Sequence, residues 1–111
     1  MGISPPERVL TIRNDTGPDG AARLHVSGEL DAHSAPEFAE AFEPAVAAAA
    51  DVEVDLTDVS FIDSSGLAAL IKARQRLLDA GGSLVVSAAS HTAMRLFEIA
   101  GVSSYLMRVE P

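Results

Sequence analysis

Asp63-Ser64-Ser65-Gly66 is the stretch of this chain whose residue types and spacing could do chemistry. It follows the alternating apolar run of residues 52–56 and leads into apolar residues at helical spacing, so it sits at a strand-to-helix junction. In α/β sheets the carboxyl ends of strands are where sites form. The free N–H groups and positive dipole end of the following helix point at the same place. Four chemistries fit. Asp63 or Ser64 could simply cap the helix. A serine nucleophile would need a base, for which the chain offers His25, His33 and His91. Ile62, however, occupies the place of the first glycine of a Gly-x-Ser-x-Gly elbow. A phosphate-binding loop would need more than one glycine and a Gly-Lys-Ser/Thr ending, both missing here. The fourth chemistry is phosphoryl acceptance. At a helix N-terminus the new anion is favoured by about 0.3–1 kcal/mol. The same group adds roughly −1.5 to −2 charges. A partner carboxylate ~5 Å away, at an effective dielectric of ~20, would be repelled by about 3 kcal/mol per unit charge. A small change in self-stability with a large change in binding is what a switch requires.

The elements that position this junction follow from the hydrophobic period. Residues 8–14 and 22–30 alternate, and the turn-rich residues 15–20 between them predict an antiparallel hairpin. The period then lengthens to that of a helix over residues 33–50. Ser34 and Glu37 have capping-box spacing, Pro36 suits the first turn, and Pro44 predicts a kink or break. Residues 52–56 read as a strand and 65–80 as a helix ended by Gly81. The apolar run 83–88 reads as a strand buried on both faces. Ser90 is placed to cap a helix over 91–100 that Gly101 ends, and residues 104–109 read as a last strand. The order β-β-α-β-α-β-α-β predicts an α/β fold with a largely parallel sheet and an antiparallel edge hairpin. The loops after Asp31, around Ser64 and over 87–90 all follow strand ends, so one shared rim is expected.

Residues 1–7 read as a flexible terminus and 8–111 as one domain, since 111 residues leave no room for a second core. No apolar run approaches the ~20 residues of a membrane span, and no secretory leader is evident, so a cytoplasmic location is expected. Cysteine is absent, which removes thiolate sites and disulfides. The net charge of −8 disfavours nucleic acid and suits a partner with a basic face. Asp55, Asp58 and Asp63 suggest a metal cluster, but solvated acidic turns account for them and no ligand set is complete. No metal or cofactor is expected.

The stretches VSGELDAHSAPEF (26–38), VDLTDVSFIDSSGLAALIKA (54–73) and LFEIAGV (96–102) carry a resemblance. In this order and spacing they are similar to the STAS domain, in its form as a stand-alone bacterial anti-sigma factor antagonist, over about residues 8–109. The resemblance implies a mixed four- to five-stranded sheet with helices mainly on one face, and a regulator rather than an enzyme. It also implies a mechanism. The first serine after the aspartate, here Ser64, is phosphorylated by the anti-sigma factor, a serine kinase of the histidine-kinase-like ATPase fold. The unphosphorylated antagonist binds that kinase and frees the sigma factor, and a PP2C-type phosphatase resets the switch. Asp31 matches the family's acidic residue beside the acceptor, and with it His33, Asp63, Ser65, Gly66 and Leu67 are expected to form the partner surface. Asp31 could equally just terminate its strand, and His33 could be an ordinary surface histidine. The alternative role is that of a non-phosphorylated STAS scaffold subunit in a lipid-transport or signalling assembly. Two features depart from the family pattern. The sequence ends at Pro111, where many relatives continue into a last helix, so that helix is expected to be absent or very short. Pro44 stands inside the first helix.

Overall fold

A computed structural model describes residues 9–16 and 22–107. The expected terminus 1–7, residue 8, turn residues 17–20 and residues 108–109 of the expected last strand lie outside the described residues. The sheet has four strands in sequential order: β1 (Leu10–Thr16), β2 (Ala22–Leu30), β3 (Asp51–Ile62) and β4 (Ser83–Ala89). β1 runs antiparallel to β2, with Leu10 opposite Gly28 and Thr16 opposite Ala22. β2, β3 and β4 are mutually parallel. With strands in this order, right-handed crossovers put their helices on one face. A single core results, in which Leu24, Val26, Val54, Leu56 and Val86 of the sheet meet Phe38, Leu70, Leu77 and Phe97 of the helical layer. The opposite face is open and polar. There Arg23 pairs with Glu53 at 3.1 Å, and the ring nitrogens of His25 lie 3.3 Å from Asp55 Oδ2 and 2.8 Å from Asp58 Oδ2.

β3 is much longer than the 52–56 run that alternation marks. Its buried positions are Val52, Val54 and Leu56, then Val59, then Ile62. The parity changes because β3 carries one extra residue between the pairs His25–Asp55 and Ser27–Asp58, and another between Gly28–Val59 and Glu29–Phe61. Each such bulge turns the next side chains to the other face, which hides the strand from a period-two reading.

The long helix predicted over 33–50 is broken into α1 (Ala35–Glu40) and α2 (Glu43–Ala47), with Pro44 in the first turn of α2, where its missing N–H costs nothing. Phe38 and Phe42 straddle the break, fully buried edge-to-face with centroids 5.0 Å apart. α3 (Ser64–Ala80) and α4 (His91–Ala100) each end at a left-handed glycine, Gly81 and Gly101. Val102 N–H closes on Phe97 C=O at 2.9 Å, as a Schellman ending requires.

Three expectations are corrected. Among the described residues, the first part of the expected last strand is instead a short helix, α5 (Ser103–Leu106), in which Leu106 N–H and Met107 N–H bond Val102 and Ser103 carbonyls at 3.0 and 2.8 Å. Met107 follows it with one parallel bridge to Val86 of β4. β4 is buried on one face rather than two: Leu84 and Val86 are inside, Val85 is half-buried and Ser87 is exposed, since the helices lie on one side. The Ser34–Glu37 capping box does not form. Ser34 is buried, and its hydroxyl donates backward to Glu29 C=O at 2.8 Å.

Candidate functional site

The junction is built from two glycines and an aspartate. Asp63 is extended (φ −117°, ψ −173°), and its Oδ1 accepts from Gly66 N–H at 3.0 Å, so the aspartate caps α3. Gly66 is buried against the end of β2. A Cβ added there would lie 2.2 Å from Leu30 O, so a larger residue would force the helix away from the strand. Asp63 N–H also donates to Leu30 C=O at 3.3 Å. Gly28 makes a similar close approach, with φ +99° and room for a Cβ taken up by Val9 O at 2.0 Å. The glycines of the two motifs, Gly-Glu-Leu-Asp and Asp-Ser-Ser-Gly, are thus where backbone crosses backbone. One seats β2 against the chain entering β1, the other seats α3 against β2.

With the cap supplied by Asp63, Ser64 is the first residue of α3, exposed, and its hydroxyl makes no hydrogen bond among the described residues. Ser65 is half-buried and faces α1. Leu67 is in the core, 7% exposed.

The neighbouring loop follows Leu30 directly. Asp31 is buried, and its Oδ1 accepts from His33 N–H and Ser34 N–H, both at 3.0 Å, while its own N–H donates to Ser34 Oγ at 3.0 Å. The start of α1 is therefore organised by Asp31, the task the sequence assigned to Ser34. His33 is exposed. The expected site residues thus fall into three groups. Ser64 and His33 present themselves to solvent, Asp63 and Ser65 are half-buried, and Asp31, Gly66 and Leu67 hold the loops from beneath.

The shared rim is divided. β4 ends opposite Leu56, and Ser90 N–H bonds Leu56 C=O at 3.0 Å. β3 runs on to Ile62 before the chain reaches Ser64, and from Asp55 to Ile62 its neighbour β2 advances five residues, roughly 16 Å at strand rise. The loops after Asp31 and around Ser64 stay together and the 87–90 segment lies apart, because the bulged β3 is twelve residues long and β4 only seven.

The remaining candidates sit elsewhere. His25 is on the open face with Asp55 and Asp58, and His91 opens α4. Burial pushes the Asp55 carboxyl up, but hydrogen bonds from the Thr57 hydroxyl and amide, together with His25, outweigh this and hold it below its ordinary value. Among the described residues no three His, Asp or Glu side chains converge as a metal site, and no helix is long and apolar enough to cross a membrane.

Comparison with known proteins agrees with this geometry. A family model described as "Mlab, STAS domain" matches residues 14–108. The anti-sigma-B factor antagonist of Bacillus subtilis is 33% identical over 84 residues, 76% of this chain and 77% of that protein. The protein of the same name from Listeria monocytogenes is 38% identical over 75% of this chain and 74% of its own length. Among solved structures, an anti-sigma factor antagonist from Mycobacterium paratuberculosis superposes with a TM-score of 0.78 at 28% identity, covering 94% of this chain and 87% of its own. A match over nearly the whole described chain, with both motif glycines explained by the packing, leads to one conclusion: the chain belongs to the STAS-domain family.

Proposed function

We propose that this protein is an anti-sigma factor antagonist that works by partner switching, with Ser64 as the phosphoryl acceptor. One observation carries the reading: Asp63 caps α3, which leaves the Ser64 hydroxyl exposed, and without a hydrogen bond among the described residues, at the positive end of a seventeen-residue helix. The names of the relatives from Bacillus subtilis and Listeria monocytogenes support the same role. The protein is a substrate and ligand here, not a catalyst. The kinase partner is an anti-sigma factor of the histidine-kinase-like ATPase fold. Ser64 Oγ attacks the γ-phosphorus of ATP held by that kinase. The new O–P bond forms as the bond to ADP breaks, and the hydroxyl proton passes to a base of the kinase. A PP2C-type phosphatase reverses the modification by hydrolysis. All of this takes place in the cytoplasm.

Unphosphorylated, the protein docks its kinase through the loops of Ser64 and His33, with Ser65 beside them, while Asp31, Asp63, Gly66 and Leu67 hold those loops in place. Phosphorylation adds roughly −1.5 to −2 charges at the centre of this surface. Because the helix dipole tolerates the anion, the fold survives while the complex is driven apart. Incubation with the cognate kinase and ATP, followed by phosphopeptide mass spectrometry, tests the assignment. Phosphate should appear on Ser64 and vanish in Ser64→Ala. Phosphate on neither Ser64 nor Ser65 would leave a non-phosphorylated STAS scaffold subunit as the role.

A further inference from the structure

A groove of about 520 Å3 runs between α1 and α3. Ala35 and Ala39, one turn apart on α1, lie across from Ala69 and Ala73, one turn apart on α3. Between these two helices the four methyl groups leave the space open. The large side chains of the same segment, Phe38 and Phe42, are fully buried in the core and leave the groove's outer side unfilled. Ser65, next to the free Ser64, closes one end, and the groove's cations are Lys72 and Arg76. Arg76 is committed to Glu43 through two contacts of 2.7 and 3.1 Å. Lys72 is exposed and enters no ion pair among the described residues. It is also the only lysine in the chain, a local positive charge in a protein of net charge −8.

We infer that this groove receives an acidic segment of the anti-sigma kinase, with small apolar side chains on the alanine floor and a carboxylate on Lys72. The inference rests on the partner-switching reading and deepens it. The sign of the occupant's charge follows from two observations. Lys72 attracts a carboxylate and repels a cation. The groove also begins at Ser65, so a phosphoryl group on Ser64 repels an acidic occupant, whereas it would hold a basic one more tightly and turn the switch the wrong way. Lys72 lies eight residues beyond Ser64, about 12 Å along the helix. That is close to the ~10 Å screening length at 0.1 M salt, so the phosphoryl charge acts mainly on the end of the segment nearest Ser65.

Having a single lysine makes the test site-specific. The full chain is mixed with its cognate kinase and ADP, treated with a carbodiimide that joins amines to carboxylates without a spacer, digested, and analysed by mass spectrometry. Lys72 should be found joined to an Asp or Glu of the kinase, and the product should be lost when Ser64 is phosphorylated. In calorimetry Lys72→Glu should weaken binding by about ten-fold or more, as loss and reversal of a paired interface charge does. Lys72→Arg should stay within about three-fold of the wild type. Arg95→Glu, the same charge change on an exposed position of α4, should stay within about two-fold. If the kinase binds and phosphorylates Ser64 normally while Lys72 forms no product with it and Lys72→Glu binds like the wild type, the groove assignment is overturned and the switch stands. Lys72 joined to a second copy of this chain instead would overturn it in favour of self-association. A kinase that neither binds nor phosphorylates the protein removes the switch and the groove together.

Discussion

The starts of α3 and α4 share one plan and serve different ends. Each helix follows a parallel strand, and each is capped by a short polar side chain that accepts from the N–H three residues on. The caps are Asp63 with Gly66 at 3.0 Å and Ser90 with Ala93 at 3.2 Å. Each helix closes at a left-handed glycine. The difference is one residue of offset. In α4 the serine is the cap, so its hydroxyl is spent on the backbone. In α3 an aspartate takes that role and the serine falls on the next position, exposed and with no hydrogen bond to its hydroxyl among the described residues. A second difference lies three residues after each cap. Gly66 is pressed onto the backbone of Leu30, while α4 has Ala93 at the equivalent place, fully buried with its methyl group accommodated. The comparison teaches that the exposure of the Ser64 hydroxyl comes from which residue supplies the cap, and that the close helix-to-strand seat is a separate requirement.

The strongest way to break the comparison is to make the two starts alike at their third position. Gly66→Ala would place a Cβ 2.2 Å from Leu30 O. It should destabilise the protein by about 3 kcal/mol, the upper range for overpacking, read as a fall in the urea midpoint. Ala93→Gly should cost only about 1 kcal/mol, the intrinsic penalty of glycine in a helix. Equal costs would mean that the seat of α3 on β2 is softer than the contact implies.

The caps come next. Asp63→Ala and Ser90→Ala should each lower stability by about 1 kcal/mol, since each leaves an N–H without its partner. Ser64→Ala should change stability by less than about 0.5 kcal/mol, because no hydrogen bond is lost. That variant should still bind the kinase, resist phosphorylation, and act as a permanently active antagonist. Ser64→Glu should weaken kinase binding measured by calorimetry, though less than the phosphoryl group does, as it adds one charge where phosphate adds nearly two. If Ser64→Ala cost as much as Ser90→Ala, the serine would be serving as a cap and the two starts would not differ.

The smallest effect lies outside both starts and sharpens the comparison as a control. Asp55, on the open face, titrates below its ordinary value because the Thr57 and His25 contacts outweigh its burial. A depressed folded value means that its stabilisation is present above the unfolded value and is lost as the pH falls through the folded one. Asp55→Asn should therefore flatten the acid limb of stability below about pH 4 and leave Ser64 phosphorylation unchanged. The side chain is 39% exposed, which limits the effect to under about 1 kcal/mol. Urea midpoints from pH 7 to pH 3 would check it; an unchanged acid limb would remove Asp55 from the account.

What the sequence determined by itself is what depends on near neighbours. The cap of α4 at Ser90, the glycine endings at 81 and 101, the break near Pro44 and the start of α3 within one residue of its place are all local. Each rests on a side chain or a backbone preference acting over one turn. The alternation of residues 22–30 likewise marked β2, and the neighbouring motifs marked the family. Only the tertiary structure decided the features whose partners are distant in sequence. The two bulges that carry β3 on to Ile62 are set by register with β2, and they break the period on which a strand is recognised. Residues 103–106 are helical, with Leu106 buried in the core and Met107 bridging to Val86, whatever their preference for a strand. Ser34 satisfies the capping-box pattern, yet Glu29 C=O and the buried Asp31 claim its hydroxyl from the other side of the loop. The choice between Asp63 and Ser64 as the cap was open in the sequence, because both residue types cap well. It is settled where Gly66 meets Leu30, since that contact fixes which residue is last in the strand and which is first in the helix.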